Sequence, residues 1–266
     1  DAPGASLGEP APGILDDVFI GFDASWSSWY HWLCFALPKS ELATRLLPPS
    51  CAIVLPDYDR NPSLGLSHTA WAQSLDAFGL AGRVRLLGPG LYRARRIRFF
   101  WTEPGEPTDI TQFDLYHDLF DGVRRGLRRR TDTPRRILIA RDRTGQTRLT
   151  AAEQQVLHDA AARFGFQPLR FEEMDFHAQA ETIANAEAVV GAHGAGLANI
   201  LFGRHSLRVL EITMRLGGES VPRPWFYMLA HARHQRYALL DRDITPLTPA
   251  LLDAAWPLAF GGQSWL

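Results

Sequence analysis

The sequence predicts an α/β protein whose C-terminal half is a parallel sheet with helices on both faces. Three observations carry this expectation. Short apolar runs alternate with segments of helical spacing between Ile14 and Leu240. In the second half the strand-like runs are apolar throughout, the pattern of strands covered on both faces. Finally, Val189-Val190-Gly191 leads into Ala192-His193-Gly194-Ala195-Gly196, a loop of small residues that opens directly into a helical pattern. At about 150 residues per domain, 266 residues fit one large α/β domain or two small ones.

Residues 1–12, rich in Gly, Pro and Ala and without periodicity, read as a flexible lead-in. A strand is expected over 18–21, then an aromatic helix-like stretch over 29–46 and a buried strand over 51–55. A helix over 68–78 precedes a strand over 83–87, and a further strand is placed at 97–101. Leu115, Leu119, Val123 and Leu127 recur at helical spacing within 113–128, and the arginine-rich stretch after them, with Pro134 beyond, reads as a linker. This sets a boundary near 130, between an N-terminal lobe (13–130) and a C-terminal lobe (131–266).

The second half begins with a strand over 137–140. Thr150-Ala151-Ala152-Glu153 is a capping box, opening a helix whose core face is Val156, Leu157, Ala160, Ala161 and Phe164 and which Gly165 closes. Strands over 168–171, 188–191 and 209–212 then alternate with helices over 176–186 and 195–202. A helix over 225–232 and a strand over 236–240 complete the Rossmann-like pattern.

Charge and cysteine content narrow the function. The 28 basic and 29 acidic residues leave a formal charge of −1, so no long-range field recruits nucleic acid. All the cations except Lys39 are arginines, side chains that grip phosphate with two parallel hydrogen bonds. Cys34 and Cys51 match no metal spacing and form no disulfide framework, which favours a reducing, cytoplasmic setting. No apolar run approaches the ~20 residues that cross a bilayer.

The residues with chemistry gather at the carboxyl edge of the second sheet. The strand-loop-helix turn at Gly191 points backbone N–H groups and a positive helix end at the crevice where phosphate binds. Gly194 and Gly196 let a ligand approach, and His193 can donate to a phosphoryl oxygen or a base edge. The loop after the 137–140 strand carries Arg141, with Arg148 a few residues on, so both guanidinium groups are expected to face the same diphosphate. Glu211, ending the next strand, is a candidate acceptor for ribose hydroxyls or the cap of a neighbouring helix.

These residues resemble glycosyltransferase family 61, of the bacterial capsular and surface polysaccharide type. The resemblance rests on Arg141, Arg148, Gly165-Phe166, Phe176-x-x-Gln179, the run from Ala186 through Val189-Val190-Gly191-x-His193-Gly194-Ala195-Gly196-Leu197-x-Asn199, then Phe202 and Val209-x-Glu211-Ile212. Tyr30-His31-Trp32-Leu33, followed by Leu37-Pro38, is similar to the family's aromatic-His-Trp motif. Where the family has Asn and Glu after the second arginine, this chain has Leu149-Thr150-Ala151-Ala152-Glu153.

The resemblance implies a two-lobed GT-B fold and inverting transfer from a nucleotide sugar, often UDP-linked, with no divalent metal or other cofactor. The acceptor is then a saccharide or glycoconjugate, with no nucleic acid partner and with peripheral association at the inner face of a membrane left open. Arg141, Arg148, His193, Gly194, Ala195, Gly196, Leu197 and Glu211 would face the donor. An inverting transferase also needs a base for the acceptor hydroxyl. His31 is the first choice and Asp57 the second, although His31 can equally be a packed residue among Trp29, Tyr30 and Trp32, or part of a sugar-stacking platform.

Competing patterns are weaker. Gly4-Ala5-Ser6-Leu7-Gly8 matches a hydrolase nucleophile elbow but lacks the flanking strand and helix. Asp57-Tyr58-Asp59 and Asp241-Arg242-Asp243 match a metal-holding carboxylate pair found in a different transferase architecture. The alternative from another class is a non-catalytic module gripping a polyanion through the arginine runs 93–98 and 124–130.

Overall fold

A computed structural model describes residues 14–60, 66–100, 114–128, 132–141, 148–214 and 222–261. The expected lead-in, the Ser6 elbow and part of the second arginine run lie outside these residues. The chain is α/β and forms two compact units, Asp1–Pro107 and Thr108–Leu266.

The first unit holds a four-stranded sheet, every pairing in it parallel, in the order β3-β2-β1-β4. Its strands are β1 (Ile14–Ile20), β2 (Ala52–Pro56), β3 (Val84–Leu87) and β4 (Arg93–Arg98). After β1 the chain enters a continuous helical run: α1 (Trp29–His31), a π-helical turn (Trp32–Ala36) and α2 (Leu37–Leu46). Trp32 is fully buried, and its indole N–H donates to Ser74 Oγ at 2.9 Å on α3 (His68–Ala77), which locks the aromatic run onto that helix. Phe19, Ala43, Cys51 and Ile53 pack one face of the sheet against α2.

The strand expected at 97–101 lies earlier, at β4. Its sequence, RARRIR, has almost no apolar content because β4 pairs with β1 alone, at the sheet edge. Three of its four arginines are paired: Arg98 donates to both Asp17 oxygens at 2.8 Å, Arg96 lies 3.5 Å from Asp17, and Arg95 lies 3.4 Å from Asp16. Two carboxylates thus offset half of the charge of this first arginine run within its own sheet.

The second unit holds a five-stranded sheet in the order β6-β5-β7-β8-β9, also parallel throughout. The strands are β5 (Arg136–Ile139), β6 (Gln167–Leu169), β7 (Ala188–Ala192), β8 (Arg208–Thr213) and β9 (Arg236–Asp241). Leu138, Val190, Leu210 and Ile212 face α5 (Ala151–Arg163) and α8 (Pro249–Phe260). Neighbouring residues of opposite parity, Ile137, Ile139, Val189 and Val209, are equally buried. They belong to the face that carries α6 (Phe176–Asn185), a 3-10 helix (Ala195–Phe202) and α7 (Trp225–Ala232).

The capping box forms as expected. Thr150 Oγ1 accepts from the Glu153 amide, and Glu153 accepts from the Thr150 amide at 2.8 Å. Gly165, at φ +75°, ends α5 in the left-handed region, where the Phe166 amide reaches back to Ala161 O at 2.8 Å.

One boundary differs from expectation. Helix α4 (Asp114–Gly126), placed by periodicity before a linker near 130, belongs to the second unit. Phe120 meets Phe202 edge-on at 5.5 Å, and Asp121 accepts from the fully buried Arg233, which also donates to His117 O. A buried guanidinium demands such a partner, and α4 supplies it.

Candidate functional site

Strand order locates the crevice of each sheet. In the second unit the chain goes from β5 outward to β6, then crosses back to β7 on the other side of β5. Loops leaving the carboxyl ends of β5 and β7 therefore diverge and open a cleft, the position where doubly wound sheets bind ligands. Arg141 follows β5 and His193 follows β7, so the sequence motifs fall on the switch point.

The loop at that point is tightly held. His193 N donates to Ile212 O at 2.9 Å, and Leu197 N closes onto Gly194 O at 2.9 Å. The side chain of Asn199 donates to Gly196 O and to Gln179 Oε1, both at 3.0 Å, while Gln179 donates to Phe171 O and Met174 O. The Phe176-x-x-Gln179 and Asn199 motifs thus buttress the loop from behind. Among the described residues the amides of Gly194, Ala195 and Gly196 have no backbone acceptor, so three adjacent donors stand at the start of the 3-10 helix. Leu197, expected to join them, is buried and its amide is already engaged.

The arginines complete this arrangement. Arg141 lies across Gly194: a methyl group at that glycine would sit 1.4 Å from Nη1 and 2.6 Å from Cζ. Glycine here makes room for the Arg141 side chain and serves no special backbone angle, since φ 167° is ordinary extended chain. Arg141 Nη1 donates to His193 O at 3.4 Å. Burial and the neighbouring Arg148 charge lower its guanidinium from the ordinary value, and Glu172 opposes them. Both arginines border one small cavity between β5 and α5, and Arg148 Nε is buried without a partner among the described residues. Two half-buried like charges beside three open amides are costly unless an anion joins them.

His193 and Glu211 take a different place from the one read in the sequence. β8 continues to Thr213, so Glu211 lies inside the sheet, opposite Gly191, and is fully buried. His193 Nδ1 meets Glu211 Oε1 at 2.5 Å, and the Tyr237 hydroxyl donates to Oε2. Burial and then the Glu211 charge push the Tyr237 phenol above its ordinary pKa, which keeps it a donor. With both oxygens engaged and no exposed surface, Glu211 has nothing to offer a ribose. The pair fixes the loop instead, and Phe226 packs edge-on to the His193 ring at 5.0 Å.

The first unit carries a second cluster. Its order β3-β2-β1-β4 places a switch point at the carboxyl end of β1, the origin of the loop bearing Asp23. His31 Nδ1 lies 3.0 Å from Asp23 Oδ2, with the imidazole 27% exposed. Burial raises the Asp23 carboxyl, but the His31 hydrogen bond and charge outweigh it, and the net value falls below the ordinary one. Lys39 approaches the same carboxylate and sits 5.7 Å from the Phe35 ring. The Asp23 carboxylate engages the Nδ1 side of this part-buried imidazole, which leaves Nε2 as its other hydrogen-bonding atom. A π-helical turn, an arrangement frequent at functional sites, begins directly after His31 at the buried Trp32.

Asp23 was not singled out from sequence, because only folding brings it to His31. Asp57 is half-buried after β2 and accepts from the Asp59 amide at 3.2 Å, the local bond of a turn. Among the described residues no group of three or more His, Cys, Asp or Glu is placed to hold a metal, and no helix is long and apolar enough to cross a membrane.

Two parallel sheets with packed helices define the class as α/β, the second sheet carrying helices on both faces. Residues 29–210 match the family model described as Glycosyltransferase 61, and the chain belongs to that family. It is a transferase by family, working on a sugar donor and an acceptor. No curated protein matches the chain.

Proposed function

We propose that the protein is an inverting glycosyltransferase of GT-B type that moves a sugar from a nucleotide donor, UDP-linked, to a saccharide or glycoconjugate acceptor. The observation that carries this reading is the Arg141 guanidinium laid across Gly194, beside the amides of Gly194, Ala195 and Gly196, which have no backbone acceptor among the described residues. That constellation suits a pyrophosphate: backbone donors for its oxygens and guanidinium groups for its charge.

In this reading His31 is the catalytic base and Asp23 its positioning residue, with Asp57 the second choice. His31 Nε2 takes the proton of the acceptor hydroxyl as the oxygen attacks the anomeric carbon. The carbon–oxygen bond to the diphosphate breaks on the opposite face, inverting the centre, and its electron pair leaves on the phosphate. Arg141 and Arg148 neutralise that developing charge, the task a divalent cation performs elsewhere, so metal-independent transfer belongs to the proposal. So does a cytoplasmic setting, in which buried Cys34 and Cys51 remain thiols.

The test is calorimetric titration with UDP, ADP and GDP, in EDTA and in magnesium. UDP is expected to bind in EDTA within threefold of its affinity in magnesium. Failure of every diphosphate to bind, or a strict requirement for the metal, overturns the reading.

A further inference from the structure

The amino edge of the second sheet, opposite the candidate donor site, is also rich in arginine. The larger of two cavities there, about 540 Å³, is lined by Arg135, Arg136, Arg204 and Arg208 together with Phe164 and Phe260. The other, about 410 Å³, is lined by Arg124, Arg125 and Arg128 at the end of α4 and shares Arg204 with the first. Glu187 is the sole carboxylate among the described residues lining either cavity. Arg135 holds it at 2.8 Å, and the charges of Arg136 and Arg208 act on it too.

In the smaller cavity Arg124 pairs with Asp121 at 3.4 Å, whereas the remaining guanidinium groups of the larger one meet only the weak negative charge of carbonyls. Arg136 donates to Phe164 O at 3.0 Å, Arg204 to Ala184 O at 3.2 Å and Arg208 to Phe260 O, all carbonyls at or beside helix ends. A helix end carries roughly half an elementary charge, so the groove stays positive. Its wall is aromatic: Phe164 stacks on Trp256 at 5.0 Å and 11°, and the buried Trp256 Nε1 has no acceptor among the described residues.

We propose that this edge is a second saccharide-binding site, taking a glycan chain that carries carboxylate or phosphate groups. The arginines line concavities, which a chain can enter and a flat bilayer cannot. Sugar faces suit the aromatic wall, and anionic groups suit the guanidinium forks. A single-stranded nucleic acid has comparable charge and stacking, but the family works on glycans, and this favours the acidic glycan. The inference rests on that glycan chemistry and not on the donor site. The five residues of β7, at about 3.3 Å each, separate the two edges by about 16 Å, so both can be occupied together.

The test uses the whole chain at low salt, without donor, and four probes: a galacturonate hexamer, maltohexaose, a thymidylate hexamer and phosphatidylglycerol vesicles. The galacturonate hexamer is expected to bind at least tenfold more tightly than maltohexaose and more tightly than the other two. Arg204→Gln with Arg208→Gln is expected to weaken it about tenfold and flatten its salt dependence. Arg204→Gln alone is the second variant should the pair unfold the chain, with about threefold weakening expected. Equal binding of the neutral hexamer, preference for thymidylate or for vesicles, or unchanged affinity in the folded variants overturns the proposal. A galacturonate complex in a chain that binds no UDP supports this site while overturning the donor reading, and the reverse result does the opposite.

Discussion

Arg141→Ala is expected to weaken UDP binding about a hundredfold, the loss of a two-point charged contact worth about 2.7 kcal/mol. The melting temperature should stay nearly unchanged, because Arg141 makes one long bond, to His193 O, and no buried ion pair among the described residues. Gly194→Ala provides a control that leaves the charge in place. Its methyl group would occupy the position of the guanidinium, which is the flexible end of a side chain and can swing away. Binding should therefore fall at least tenfold, again without unfolding. Wild-type affinity in both variants would place the diphosphate elsewhere.

His31→Ala is expected to lower kcat for UDP release about a thousandfold, within the range of general-base contributions, and to leave UDP affinity unchanged. Asp23→Asn keeps the shape but loses the charge that orients the imidazole, and about a fiftyfold loss in kcat is expected. The sign with pH follows from Asp23. Its folded value lies below the ordinary one, so the pair is intact above the ordinary carboxylate range and is lost as pH falls through the lowered value. An equal loss in Asp57→Asn, with His31→Ala active, would transfer the base to Asp57.

The second sheet was legible from sequence because the inner residues of β5, β7 and β8 are buried on both faces and, Glu211 and Thr213 apart, are apolar. β4 was misplaced because an edge strand with a solvated face can be built of arginine when Asp16 and Asp17 stand opposite. Helix α8 went unread: Leu251, Leu252, Ala254, Ala255, Trp256 and Leu258 leave no polar stripe, and Pro257 interrupts the pattern. Periodicity gave α4 its apolar face but not its partner, which Arg233 fixes from 112 residues away.

The candidate site shows the same division. The placement of Arg141 and the glycines at the switch point was legible because they directly follow two runs that read as buried parallel strands. Glu211 was misread because β8 runs past it to Thr213, which turns an expected rim residue into an interior one. Asp23 and Tyr237 have no local pattern at all, since each acquires meaning only through a side chain from another element.

The most direct trial is a crystal structure of the chain grown with UDP in EDTA. The account predicts pyrophosphate oxygens within about 3 Å of the Gly194, Ala195 and Gly196 amides and of the Arg141 guanidinium. A diphosphate bound at the amino edge of the sheet, or to the first unit alone, would contradict it.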